Sequence, residues 1–303
     1  MKEIIPSALE GERLDRVVAL LSGRSRSEVE IAIEQGLVQI DNVPIFKPSF
    51  RVKADSELVA EVAETESETL IPDSSVSFNV VFEDQDIIVV EKPAHVVVHP
   101  GAGVNSATLA HGLLARFPEI AEIGQADRPG IVHRLDVGTS GLLVVARNAE
   151  AYDYLVNELS QRKIHREYMA LVVGNLESDA GEIDAPVGRS MKNRTRMAVS
   201  SEGRDARTRY VVQERFNSPI VCTLVGCELE TGRTHQIRVH FAAIEHPVVG
   251  DAQYGGERSA LPASRPILHA RRLAFSHPRT GEIVEFLSDI PDDIAAVIAL
   301  CQA

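Results

Sequence analysis

The sequence predicts an α+β protein built from a small N-terminal α/β unit and a larger domain. Three observations predict it. A chain of 303 residues suits two domains, or one domain with an appendage. Strand-like segments in the second part adjoin one another more often than they alternate with helices, which disfavours a doubly wound parallel sheet. Composition also changes at residues 63–77 (AETESETLIPDSSVS), which are acidic, Ser/Thr-rich and poor in large apolar groups, as in a linker. The expected parts are therefore 1–62, 63–77 and 78–303. A chain of this length buries roughly three quarters of its unfolded surface and needs no disulfide or metal to hold it.

Within the first part, residues Arg13–Leu21 read as a short helix. Ser25 and Glu28 form an S-x-x-E capping box that opens a second helix, with Gly36 as its stop. Leu37–Ile40 and Val43–Phe46 flank Asp41-Asn42, a pair suited to a tight hairpin turn. In the second part, Val80–Phe82 and Ile87–Val90 flank a polar turn and read as another hairpin. Gly141–Ala146 is a short apolar run, consistent with a buried strand. Asn148 can cap a helix with Tyr152, Leu155, Val156 and Leu159 on one face. Tyr168–Val173, Ala206–Val212 and Val221–Leu229 have strand character. Pro291 starts a closing helix over Asp292–Leu300.

Composition excludes several classes. Cys222, Cys227 and Cys301 are odd in number and form no C-x-x-C pair, which argues against a disulfide framework or zinc site and fits a reducing compartment. The N-terminus lacks the apolar segment of a secretory signal, and no apolar run approaches the ~20 residues of a membrane span. The expectation is a cytoplasmic protein with no membrane partner. The net charge of −13 by itself opposes nucleic-acid binding. It is unevenly spread, however: Ala54–Glu91 holds eleven acidic residues and no basic ones, whereas Pro186–Arg215 holds eight Lys/Arg against three Asp/Glu.

Three constellations carry candidate chemistry. His133-Arg134-Leu135-Asp136-Val137-Gly138-Thr139-Ser140-Gly141 sets a carboxylate between a cation and a Gly/Thr/Ser turn, directly before an apolar strand. A loop on a rigid support is a common place for catalysis; a structural ion pair with a capped turn has the same spacing. Thr231–His240 (TGRTHQIRVH) reads as a strand with Thr234, Gln236 and Arg238 on one face, looking into a cleft or simply into solvent. Arg166-Glu167-Tyr168 leads into an apolar strand, where the tyrosine is a core residue or a platform on which a base stacks. His-Pro-Gly-Ala-Gly at 99–103 is no dinucleotide fingerprint and precedes no clear helix after a strand, so no nucleotide cofactor is expected. The His95/His99 and His235/His240 pairs lack carboxylate or cysteine partners at ligand spacing, so no metal is expected.

Taken together, HRLDVGTSGLLVVAR and TGRTHQIRVH resemble the two signature motifs of the RluA family of pseudouridine synthases. Further matches follow in order: Glu91-Lys92-Pro93, HPGAG at 99–103, EYMALVVG at 167–174, HPVVGDAQYG at 246–255 and LHARRLAFSHPRTGE at 268–282. RLDRVVALLSGRSRSEVEIAIEQGLVQIDN resembles the S4 RNA-binding domain. The resemblance spans nearly the whole chain, and the S4-like unit, HPGAG and DxxYGG are most similar to the family's large-subunit ribosomal RNA type. His95 and Glu245 depart from it, standing where the family usually or commonly has glycine.

The resemblance implies a catalytic domain around a central, mostly antiparallel sheet, behind an S4-type unit. It implies isomerisation of uridine to pseudouridine in RNA, with large-subunit ribosomal RNA as partner. A transfer-RNA enzyme of the same family and a non-catalytic S4-type RNA-binding or ribosome-assembly protein are the alternatives. Asp136 is the implied nucleophile, attacking the ribose C1′, attacking the base C6, or driving elimination to a glycal. Arg238 is its implied cationic partner, and Tyr168 stacks on the uracil. Arg134 is expected to help hold the everted nucleotide, with His133, Thr139, Arg233 and Gln236 as further substrate contacts. Arg13, Arg16, Arg24, Arg26 and Lys47 would meet phosphates. Product and substrate are isomers, so no cofactor is required. An asymmetric RNA needs no twofold partner, so a monomer is expected. A glycosidase would use two carboxylates flanking the bond, and the matched active-site motifs hold no second acid.

Overall fold

In the computed structural model, residues 1–24, 26–62, 70–101, 103–193 and 195–302 are described. They fall into two units, Met1–Thr69 and Leu70–Ala303.

The first unit comprises β1 (Lys2–Ile4), α1 (Leu14–Ser22), α2 (Arg26–Glu34), β2 (Val38–Ile40), β3 (Val43–Pro44) and β4 (Glu57–Ala60). Its antiparallel sheet runs β1-β4-β2-β3. The hairpin turns where expected: Asp41 and Asn42 both have positive φ (50° and 65°), the two-residue geometry that matches strand twist. Leu14, Val17, Val18, Val29, Ile33 and Leu58 close a core of the unit's own. β1 and β4 are too short and too exposed on one face to stand out in the sequence. The Ser25 end of the capping box and the Arg26 side chain lie outside the described residues.

The second unit continues the strand count with β5 (Asn79–Glu83), β6 (Ile87–Lys92), the two-residue ribbon β7 (Gly124–Gln125) and β8 (Arg128–Pro129), β9 (Ser140–Ala146), β10 (His165–Val173), β11 (Ala180–Asp184), β12 (Val187–Arg189), β13 (Met197–Val199), β14 (Arg207–Phe216), β15 (Cys222–Leu229), β16 (Leu268–Ser276) and β17 (Ile283–Leu287). Its helices are α3 (Leu109–Arg116), α4 (Ala149–Ser160), α5 (Gln236–Ala243) and α6 (Asp292–Gln302). The main sheet runs β11-β14-β15-β10-β16-β9-β6-β5, with β17 also paired to β16. Each described pairing in it is antiparallel except β16 with β9.

Strand alternation places the site. On β10, Tyr168, Ala170 and Val172 turn toward the core shared with α3, α4 and α5. Met169 and Leu171 turn the other way, toward α6. β9 is buried at all seven positions, as its apolar run implies. Asn148 caps α4 by accepting the Ala151 N–H at 2.9 Å.

Four expectations change. Thr231–His240 is not a strand. Residues from Gln236 onward form α5, and Ile237, Arg238, Val239, His240 and Phe241 are all buried; a segment enclosed on every side has no informative periodicity. A helix does follow HPGAG: α3 is capped by Thr108 and His111, and its apolar residues likewise face protein all round. Val156 on α4 is exposed, not part of the packed face. Residues 63–69 of the expected linker lie outside the described residues, but residues 70–77 belong to the second unit. There Leu70 is buried and the Asp73 N–H donates to the His111 carbonyl at 3.1 Å. Among the described residues, no helix is long and apolar enough to cross a membrane.

Candidate active site

The HRLD segment leads into β9 through a tight turn, in which the Thr139 N–H donates to the Asp136 carbonyl at 3.0 Å. Ser140 Oγ and His269 Nδ1, 2.9 Å apart, tie the end of the turn to β16. Gly141 has φ +114°, and a Cβ there would fall 2.2 Å from the Ala270 carbonyl oxygen, so only glycine lets β9 approach β16 here. The turn is thus held rigidly, with Asp136 at its start and its side chain 14% exposed.

Asp136 opens into a cleft of about 470 Å³ lined also by His133, Arg134, Thr139, Arg166, Tyr168 and Arg233. Tyr168 is 6% exposed. Burial pushes its phenol above the usual range, the Arg166 charge pulls it back, and the Asp136 charge adds to the rise.

Arg238, in the first turn of α5, brings Nη1 to 3.5 Å from Asp136 Oδ2. It comes from a neighbouring hollow that it shares with Asp251 and Gln253. Burial disfavours its charge, but Asp251, with the Asp136 charge and Tyr254 adding to it, raises its pKa. Arg238 Nε and Nη2 fork onto Asp251 Oδ2 and Oδ1 at 2.6 and 2.9 Å. Its guanidinium carbon lies 5.0 Å from the centre of the Tyr254 ring. Tyr254 is in turn held by His235 Nδ1 at 2.8 Å. A forked, stacked guanidinium has one orientation, and that orientation aims its free end at Asp136.

Asp251, Tyr254 and Lys92 were not singled out by sequence reasoning. They stood inside the matched HPVVGDAQYG and Glu91-Lys92-Pro93 stretches, which is the signal that marks them. Lys92 is wholly buried, donating to the Pro93 and Val96 carbonyls at 2.7 and 2.8 Å. Burial pushes its ammonium down to about 7, against the pull of the Asp136 carboxylate. Replacing Asp251 with asparagine keeps its shape and loses the charged fork. We expect kcat to fall on the order of 10²-fold, as for a ~1 Å misplacement of a catalytic group, with RNA affinity unchanged. Unchanged kcat in single-turnover assays would show that Arg238 is held without Asp251.

The other expected residues are placed as follows. Arg134 is exposed at the cleft and 3.5 Å from His99 Nε2. Gln236 lines the cleft, but its amide is engaged internally by Thr231 Oγ1, the Arg233 N–H, the Arg207 carbonyl and Thr208 Oγ1, at 2.7 to 3.0 Å. It shapes the turn before α5. Arg233 Nε donates to the Asp205 carbonyl at 3.0 Å.

His133 Nε2 accepts the Val144 N–H at 3.1 Å. Burial, with the Arg166 charge beside it, pushes this imidazole from 6.5 down to about 3. Between those values the unfolded chain binds a proton that the folded chain refuses. This contribution to stability is therefore complete above pH 6.5 and is lost as pH falls toward 3, by up to about tenfold in the folding equilibrium per pH unit. Denaturant unfolding at pH 7 and pH 5 should show a shallower loss in His133→Gln than in the unsubstituted protein; equal losses would refute the assignment.

Folding also brings a second acid, Glu230, to the cleft. Arg162, Arg207 and Arg209 engage its carboxylate at 3.0, 3.3 and 2.5 Å, so it is not poised as a glycosidase acid. Asp84, Asp86 and His277 bring three ligand-type atoms together. Arg279 forks onto Asp86 at 2.6 and 2.7 Å and His277 Nε2 meets Asp84 at 2.8 Å, which spends those atoms without a metal. Glu245, at the end of α5, has φ +67°, a left-handed conformation that explains why glycine is common there. In the first unit, Arg13 forks onto Asp15 at 3.0 and 2.8 Å and Arg16 meets Glu12 at 3.1 Å. Lys47 is exposed, and Arg24 is partly buried and engaged within the protein.

Comparison with known proteins decides the family. The profile described as RNA pseudouridylate synthase matches residues 86–243. The chain belongs to the RNA pseudouridylate synthase family. Residues 12–58 match the S4 domain. An RNA pseudouridine synthase of Bacillus subtilis is 41% identical over 95% of this chain and 93% of its own length. The ribosomal large subunit pseudouridine synthase D of Nitrosomonas europaea is 42% identical over 97% and 86% respectively. Among solved structures, human RNA pseudouridylate synthase domain containing 1 aligns with a TM-score of 0.57 and 28% identity, over 77% of this chain and 97% of that one. The matched family segment runs from β6 to α5 and so includes Asp136, Tyr168 and Arg238. The chain is an RNA pseudouridine synthase with an S4 domain ahead of its catalytic unit.

Proposed function

We propose that this enzyme isomerises uridine to pseudouridine in large-subunit ribosomal RNA, with Asp136 as the nucleophile. The observation that carries the reading is the meeting of Asp136 and Arg238 at 3.5 Å, beside a cleft that Tyr168 also lines. The ribosomal target is supported by relatives named ribosomal large subunit pseudouridine synthase D, at 41–42% identity over 94% or more of this chain.

The reaction breaks the N1–C1′ bond, turns the uracil and rejoins it through C5. The target base leaves its stack first, at a cost of a few kcal/mol. Arg134 is exposed at the cleft and is suited to the space the base vacates. Tyr168 offers a ring to the uracil. Asp136 drives the cleavage as the nucleophile; the N1–C1′ electron pair leaves with N1, which takes up a proton, and C5 gives its proton to water once the C5–C1′ bond has formed. Arg238, aimed by Asp251, sets its guanidinium beside the Asp136 carboxylate. In the S4 domain, the cations Arg13, Arg16, Arg24, Arg26 and Lys47 meet phosphates of the same RNA; Arg13 and Arg16 exchange intramolecular carboxylates for them.

The test is incubation with large-subunit ribosomal RNA carrying tritium at uridine C5. Isomerisation releases tritium to water and leaves no free uracil. No release from ribosomal RNA, with release from transfer RNA, would replace the target; free uracil would replace the reaction.

A further inference from the structure

Among the described residues, three buried nitrogens of cleft-lining side chains have no hydrogen-bond partner: His99 Nδ1, His133 Nδ1 and Arg166 Nε. Buried polar groups are almost always paired within the protein, so a cluster left open beside a cleft points to a ligand. Arg166 is the most pronounced of the three. The residue is only 8% exposed. Among the described residues no carboxylate pairs with it, and its one hydrogen bond, Nη2 to the Leu229 carbonyl, is long at 3.5 Å. A buried guanidinium without a counter-charge is costly.

The surroundings keep it open. Glu167, the next residue in the chain, pairs with Arg272, and Glu230, which follows Leu229, is engaged by three other arginines. Gly232 makes room: a Cβ there would lie 2.9 Å from Arg166 Nη1. Arg233, on the next residue, spends its Nε on a backbone carbonyl. His133 accepts the Val144 N–H through Nε2, so its ring proton sits on Nδ1 and that atom is a donor. This part of the cleft therefore presents donors and positive charge, the Glu230 carboxylate at its wall being held by other arginines. A uracil offers two neutral carbonyls and would leave the charge unmatched. A phosphodiester offers charge and two oxygens that a planar guanidinium grips together.

We propose that Arg166 is the phosphate anchor of the cleft, gripping a phosphodiester that flanks the everted uridine. The proposal rests on reading the cleft as a uridine site. Arg166 sets the depth to which the nucleotide enters, two residues along β10 from the tyrosine that would stack on its base.

The test compares binding of the trinucleotide UpUpU with that of the same trinucleotide bearing neutral methylphosphonate linkages, by calorimetry. The unsubstituted protein should prefer the charged form. Arg166→Met should reduce that preference by about tenfold, the scale of one charge-assisted hydrogen bond in a desolvated pocket. Arg166→Lys should keep part of it, and Arg258→Met, at a half-buried residue outside the cleft, should keep all of it. A purely structural role for Arg166 would lower the melting temperature and leave the ratio intact. An unchanged ratio in Arg166→Met overturns the proposal, as does no preference, or no binding, in the unsubstituted protein. Tritium release by the unsubstituted protein without a phosphate preference would sink the anchor and spare the proposed function. Loss of tritium release with the preference intact would do the reverse.

Discussion

Asp136→Asn is expected to abolish pseudouridine formation while leaving a folded protein that still binds RNA. Asparagine matches aspartate in shape, and the turn is held by the Asp136 carbonyl and Thr139 N–H, not by the carboxylate, so the loop has no reason to rearrange. Arg238 keeps its fork to Asp251. What disappears is the proposed nucleophile, and losses on removing a nucleophile are on the order of 10⁴-fold or more. Single-turnover tritium release and a filter-binding isotherm on the same RNA measure the two halves. Turnover within about tenfold of the unsubstituted enzyme would remove Asp136 from the nucleophile's role.

Arg238→Ala is expected to lower the rate on the order of 10²–10³-fold, the scale of losing a preorganised charge partner, with RNA affinity largely kept. The structure adds a second effect. Asp251 is 1% exposed at its side chain and depends on Arg238; removing one partner of such a buried pair costs roughly 3–5 kcal/mol. The variant should therefore melt well below the unsubstituted protein, and kinetics must be read at a temperature where it remains folded. Arg238→Ala,Asp251→Ala separates the effects: the double variant removes both partners, so stability returns in part while the rate does not. A large loss of RNA affinity with the rate intact would make Arg238 a phosphate contact and leave Asp136 without its partner.

Much of the site was legible because its signals are local. The Asp136 turn, the part of β10 that carries Tyr168 and the hairpins at Asp41-Asn42 and Glu83–Asp86 each lie within a few residues, where turn chemistry and strand composition act directly. The segment carrying Arg238 reads as a strand in the sequence because Ile237 and Val239 alternate with polar residues. In the fold the intervening Arg238 and His240 are buried too, and His240 bonds to Thr208 Oγ1 and the Ala185 carbonyl at 2.9 Å. Polarity in this segment thus marks internal hydrogen bonding and not a solvent-facing edge.

By itself the sequence determined the family, the two-part organisation with an S4-type unit first, and the chemistry class, and it marked the loop proposed to carry the nucleophile, because each is written in contiguous residues. Only the tertiary structure decided that Asp251 aims Arg238, that Lys92 is buried within reach of the Asp136 charge, that Glu230 is occupied, and that Arg166 is buried without a carboxylate. These are properties of burial and of contacts between residues far apart in the chain. A charged side chain's neighbours set its energy, and no spacing along the sequence states which neighbours folding will bring.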